Sequence, residues 1–174
     1  MTVLLVVLIQ LGPALFAGEA PRTVAVAGTP YAVPVPALWR VDPDVPGTAL
    51  VLRGPSSEPV VHQGAIAVVQ TPVRAGEDAE AFLNRCETDL ARFAAGFKSG
   101  GRGSLAIGGD VWLTLNYSFL IGQETHYQRL HARIDPERMW VITAGCSSAD
   151  RLTANGKAVE GLLYALGGSR PKLR

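Results

Sequence analysis

The run DVWLTLNYSFLI, residues 110–121, constrains the fold more than any other stretch of this chain. Side chains of an extended strand alternate between two faces. Val111, Leu113, Leu115, Tyr117, Phe119 and Ile121 therefore share one face, and Trp112, Thr114, Asn116, Ser118 and Leu120 the other. A helix would scatter both sets. Gly122-Gln123 supplies a turn, ETHYQRLHARI returns, and residues 135–138, Asp-Pro-Glu-Arg, turn again before MWVITAGC. Three long strands joined by short turns predict an antiparallel meander.

The segments around it complete an α+β pattern. TALVLRG (48–54) and GAIAVVQT (64–71) read as two earlier strands. Residues 77–95 predict a helix: Ala79, Phe82, Leu83, Cys86, Leu90, Phe93 and Ala94 fall on one face. Glu77, Asp78 and Glu80 suit its N-terminal end and Gly96 its C-terminal end. A second helix is expected over about 149–166, after Ser147-Ser148, burying Leu152, Val159, Leu162, Leu163 and Leu166. KSGGRG between the first helix and the meander reads as a mobile loop. In YAVPVPALW, Pro34 and Pro36 point to an edge or extended segment, and Trp39 to a plug at one end of the core.

Residues 1–17 differ from the rest. Thr2 to Gly18 carries no charge, and the apolar run is short for a membrane-spanning helix but suits a secretory signal. Cleavage is expected after Ala17. The absence of Lys or Arg before the apolar run leaves an uncleaved anchor as the alternative, and that anchor is the only membrane attachment expected. The expected organisation is a signal peptide or anchor at 1–17, a linker at 18–30, one domain at 31–167 and a polar tail at 168–174. The location is extracytoplasmic, periplasmic or secreted. A chain of 174 residues with 48% hydrophobic and 18% charged residues can build one core. A net charge of +1 without charged runs gives no reason to expect a nucleic-acid partner.

Residues 124–133, ETHYQRLHAR, hold the densest chemistry. By alternation His126, Gln128, Leu130 and Ala132 share one side of the strand, and Thr125, Tyr127, Arg129, His131 and Arg133 the other. The two histidines cannot converge on one metal, which would want three or four ligands, and His62 lies elsewhere. Tyr127, Arg129, His131 and Arg133 are expected to form a polar face, partly wet, with Arg129 paired to a carboxylate or a backbone carbonyl. That face is the candidate partner-contact surface. No catalytic residue, cofactor or metal ligand is assigned. Ser118, Ser147 and Ser148 lie in no nucleophile elbow. Asp42 and Asp44 flank Pro43 in a turn. GRGSLA (101–106) matches a dinucleotide-loop pattern but follows a helix, where the motif should follow a strand, so it reads as a flexible connection. Cys86 lies on the apolar helix face and Cys146 on the strand face of Trp140, Ile142 and Ala144. If those faces meet, a disulfide between Cys86 and Cys146 can form; otherwise both are small buried apolar residues.

The order of elements resembles the PsbP-like superfamily, in particular exported bacterial proteins of the DcrB type, with PsbP and the Mog-type Ran-binding proteins as distant members. Tyr31, Val33, Pro34 and Trp39 of the opening, the helix EDAEAFLNR, Gly108-Gly109 in IGGDVWLTLNYSF, and MWVITAGC carry the resemblance, over residues 30–167. It implies an antiparallel sheet covered by helices, an α/β/α sandwich. It also implies a non-enzymatic binding or assembly role toward a protein or another envelope component. The alternatives are a small-molecule or lipid-binding protein of the envelope and an enzyme without a familiar motif.

Overall fold

In the computed structural model, the structure describes residues 22–43, 45–55, 64–135 and 138–167. Among the described residues nine strands and three helices follow one another: β1 Arg22–Ala25, β2 Ala32–Val35, β3 Arg40–Asp42, β4 Leu50–Arg53, β5 Ala65–Pro72, α1 Ala79–Phe93, β6 Lys98–Ile107, β7 Asp110–Ile121, β8 Glu124–Ile134, β9 Arg138–Cys146, α2 Ala149–Ala154 and α3 Gly156–Gly167. Strands β3 to β9 form one antiparallel sheet in the order β3-β4-β5-β9-β8-β7-β6, and β1 and β2 pair as a separate ribbon. This is an α+β fold.

The meander has the expected register. Leu115 faces Leu130 across β7 and β8, and Leu130 faces Thr143 across β8 and β9. The β6–β7 turn is Gly108-Gly109, both at positive φ (63° and 90°), between the paired residues Ile107 and Asp110. A two-residue hairpin loop with both residues at positive φ matches the strand twist and favours glycine. Asp78 caps α1 by accepting from the Ala81 amide at 2.7 Å, and Ser148 caps α2 by accepting from Arg151.

Two apolar clusters lie on opposite faces of the sheet. Odd-numbered residues of β7 and β9 (Leu115, Tyr117, Phe119, Met139, Val141) pack with Phe82, Leu83 and Leu90 of α1. Even-numbered residues (Trp112, Trp140, Ile142, Ala144, Cys146) pack with Val26, Val33 and Val35 of the β1–β2 region and with Leu152, Val159, Leu162, Leu163 and Leu166 of α2 and α3. Trp39 joins this second cluster.

Four expectations change. The segment 98–103 is no loop: all of it lies in β6, a ten-residue strand whose side chains are mostly exposed, with a bulge between Ser99 and Gly101. Glycine and serine disfavour strands locally, but the long β7 supplies a template of backbone partners, and tertiary pairing overrides propensity. GRGSLA is therefore strand as well. Residues 22–25, within the expected linker, form β1, and Val26 is fully buried. The single C-terminal helix is two, α2 and α3, broken at Asn155. Cys86 packs with the α1 cluster and Cys146 belongs to the other, so the sheet lies between them and both are free thiols. The expected closeness of Cys86 and Cys146 fails because α1 covers the Met139–Val141 face of β9 and not the face of Trp140 and Ile142. Residues 1–21, His62, Asp44 and the tail 168–174 lie outside the described residues. No helix among the described residues is long and apolar enough to cross a membrane.

Candidate functional site

Strand β8 alternates as its sequence predicts. On the α1 side, His126 stacks near Phe119, with ring centroids 6.1 Å apart, and Gln128 Oε1 accepts the Tyr117 hydroxyl at 2.5 Å. On the other side, Tyr127 stands opposite Cys146, Arg129 opposite Asn116, His131 opposite Thr114 and Arg133 opposite Trp140. The two histidines point away from each other. Among the described residues no three His, Cys, Asp or Glu side chains converge as a metal site would require.

The Tyr127–Arg133 side is not an open polar face. Helices α2 and α3 cover it, because Leu152, Val159, Leu163 and Leu166 need an apolar floor and the even-numbered positions of β7 and β9 provide one. His131 is only 3% exposed. Among the described residues neither of its ring nitrogens has a hydrogen-bond partner. Burial, helped by the positive charge of Arg129, lowers its pKa to about 4, so the ring is neutral at pH 7. Arg129 meets neither a carboxylate nor a backbone carbonyl: its Nε donates to Asn116 Oδ1 at 2.6 Å. The cross-strand amide is a partner the sequence reading overlooked, although Asn116 occupies the matching register position.

Arg133 closes the end of this side. Its guanidinium lies 2.9 Å from Asp110 Oδ2, donates to the Leu166 carbonyl at 2.8 Å, and sits 5.2 Å from the centre of the Trp112 ring. It thus satisfies a carbonyl in the last turn of α3, which lacks an intrahelical partner. Gly167 fits against this clasp with no room to spare: a Cβ there would stand 3.1 Å from Trp112 Nε1 and 3.2 Å from Asp110 Oδ2.

Between these groups the layers leave a cavity of about 40 Å³. Its walls are Leu105, Ala144, Leu152, Val159 and Leu163; Arg129, His131, Gly156 and Glu160 complete the lining. His131 forms the buried end, while Glu160 is exposed and Arg129 half-buried. Leu105 and Glu160 carry no sequence signal for this role, because the cavity exists only where α3 crosses the end of the sheet. Of the proposed contact residues, the structure brings Arg129 and His131 to the cavity and commits Arg133 to Asp110 and α3. A broad partner surface there is corrected: His131 cannot meet a macromolecule. Asp42 belongs to β3 and pairs with Arg53, with Arg40 at 3.8 Å, so it is no half of a carboxylate pair.

Exposed apolar side chains lie elsewhere. Phe93 at the end of α1 is 60% exposed, and Leu120 and Ile121 at the end of β7 are also exposed. The Leu120 amide donates to the Ala95 carbonyl at 2.7 Å, which brings the end of α1 to the end of β7.

The sheet, its helices and their order define the PsbP-like, Mog-type fold. Three solved structures share it. LpqN of Mycobacterium tuberculosis, a protein involved in cell envelope biogenesis, aligns with TM-score 0.56 and 16% identity over 82% of this chain and 88% of its own. Cyanobacterial PsbP (CyanoP) of Synechocystis sp. PCC 6803 aligns with TM-score 0.58 and 14% identity over 91% of this chain and 96% of its own. The Ran-binding protein Mog1p of Saccharomyces cerevisiae aligns with TM-score 0.56 and 14% identity over 84% of this chain and 92% of its own. No protein-family model matches the sequence. No curated protein matches it either.

Proposed function

We propose that this chain is a non-enzymatic interaction or assembly domain of the bacterial cell envelope, acting outside the cytoplasm. The observation that carries the reading is the exposure of large apolar side chains where the end of α1 meets the end of β7: Phe93 on the helix, Leu120 and Ile121 on the strand. Large apolar side chains left exposed at one end of a fold favour protein contact, and Arg92 lies over Phe93, its guanidinium carbon 5.1 Å from the ring centre. Aromatic residues and arginine are enriched in interfaces. The fold neighbour LpqN, involved in cell envelope biogenesis, supports an envelope setting, and the uncharged segment at 2–18 supports export. The space under α3 is itself too small for a lipid: it measures about 40 Å³, where ligand pockets run to roughly 300 Å³ or more.

The test is site-specific photo-crosslinking in the native host, with the reactive side chain at position 93 or 120 and, as the contrast, at Lys157 on α3. One discrete adduct from 93 and 120, absent from 157, is the expected result. Equal labelling from all three positions, or none, would sink the reading. Export is checked separately by N-terminal peptides of the native protein: a Thr2-containing peptide confined to the cytosol refutes it.

A further inference from the structure

We propose that the cavity beneath α3 binds a small monocarboxylate, an ion of formate or acetate size, through Arg129 and His131. A buried polar side chain without a partner is rare in native proteins and calls for an explanation. His131 is 3% exposed and both its nitrogens lack partners. It lines a space of about 40 Å³, above the minimum of about 10–15 Å³ for one water and on the scale of an occupant of a few heavy atoms. Formate has three heavy atoms and acetate four. A sugar, nucleotide or acyl chain is too large for the space to enclose.

The chemistry of the lining selects the charge. Arg129 spends its Nε on Asn116, and its two terminal amino groups make no other hydrogen bond or ion pair among the described residues. A guanidinium presents parallel N–H groups that match the two oxygens of a carboxylate. The neutral imidazole adds one N–H donor and keeps one acceptor nitrogen. Leu105, Ala144, Leu152, Val159 and Leu163 accept a hydrogen or a methyl group on the far side of the carboxylate carbon. Glu160 sets the limit on charge. It lines the same space from its exposed side and already offsets Arg129, so a monoanion leaves one net negative charge there, while a dianion such as sulfate leaves two and lacks room as well. The Ala158 and Val159 amides at the start of α3 already donate to the Asn155 carbonyl. The anion is therefore held by the two β8 side chains and not by those helix amides.

Binding must couple to His131 protonation. The groups facing the ring are Arg129 on its own strand, Thr114 and Asn116 from β7, and Glu160 from α3. An added anion offsets Arg129, so protonation of His131 becomes easier when the site is filled, and by reciprocity protonation tightens the site.

The experiment is NMR titration of the full chain with sodium acetate and with sodium formate, against sodium chloride and sodium phosphate at matched ionic strength. Saturable shifts of the His131 ring and the Gly156 and Val159 amides are expected, with a Kd of about millimolar order, the range open to so small an ion. Arg129→Gln should weaken acetate binding by about tenfold or more, Arg129→Lys less, and Glu160→Gln should tighten it a few-fold; all three variants should fold because neither side chain is fully buried. In the wild type, acetate should move the His131 titration midpoint upward. Shifts that grow linearly without saturation, equal response to chloride, or unchanged saturation in Arg129→Gln would overturn the proposal and leave the cavity as a site for water alone.

Discussion

The two sides of the central sheet solve one problem with different materials. On the α1 side the floor is almost wholly apolar, and its buried hydroxyl, on Tyr117, donates to Gln128. On the α2–α3 side the same sheet lays arginine, histidine and tryptophan against a helix. Trp112 Nε1, Arg133 Nε and both nitrogens of His131 are left without protein partners there. Unmade hydrogen bonds cost more than made ones return. The α1 side is therefore the stabilising layer, and the α2–α3 side carries the polar groups that burial penalises. Stability and specialised chemistry are separated across one strand's alternation.

The largest expected test of that contrast is acid. The unfolded chain's His131 takes its proton near pH 6.5, and the folded chain's near pH 4. Between those values the unfolded state binds more protons, so stability is full above about pH 6.5 and falls as pH drops. The slope is about 1.4 kcal/mol per pH unit and the total about 3 kcal/mol. Urea unfolding at several pH values measures it. His131→Phe should remove this slope and leave the losses from the lowered carboxylates Glu77 and Glu87, which set in at lower pH. Arg133→Met comes next. It strips the Leu166 carbonyl and Asp110 of their partner, at about 2 kcal/mol by the same urea measurement. The sharpest comparison is a pair of similar-sized changes. Tyr117→Phe on the satisfied side should cost about 1 kcal/mol, whereas His131→Phe on the unsatisfied side should be neutral or stabilise by about 1 kcal/mol at pH 7. Equal losses from both would erase the distinction between the faces. The smallest effect concerns the thiols. Burial pushes Cys86 up to about 11 and raises Cys146 as well. A reducing agent should therefore leave the melting temperature unchanged and thiol reagents should react slowly at pH 7.

Much of this architecture was legible because alternation and helical spacing are local. The alternation of β7 and β8, the buried Phe82, Leu83 and Leu90 of α1 and the buried leucines of α3 read directly from residue order, whereas Phe93, expected on the same helix face, is 60% exposed. What covers each face was not legible. MWVITAGC is apolar on both sides, so nothing in it says whether α1 sits on Met139 and Val141 or on Trp140 and Ile142, and the Cys86–Cys146 expectation fell on that choice. KSGGRG was misread for a related reason: its pairing energy comes from β7, not from its own residues. The cavity was hidden more deeply still, since Leu105, Arg129 and Glu160 meet only in three dimensions. Arg129 and His131 were at least marked by their chemistry.

The position of β5 beside β9 bears on how the chain reaches this fold. Ala65 pairs with Gly145 and Pro72 with Arg138, so α1 and three strands of the meander lie between partners. Hairpins β6–β7, β7–β8 and β8–β9 close over short loops and can form early, because little chain entropy is lost. The β5–β9 ladder closes a far longer loop and should come late. A chain emerging from the ribosome therefore carries β5, paired on one side with β4, with its other edge open until β9 arrives, and every residue of β4 beside it is destined for burial. That interval is when they are most exposed to self-association, and β9 is the element whose delay or truncation would prolong it.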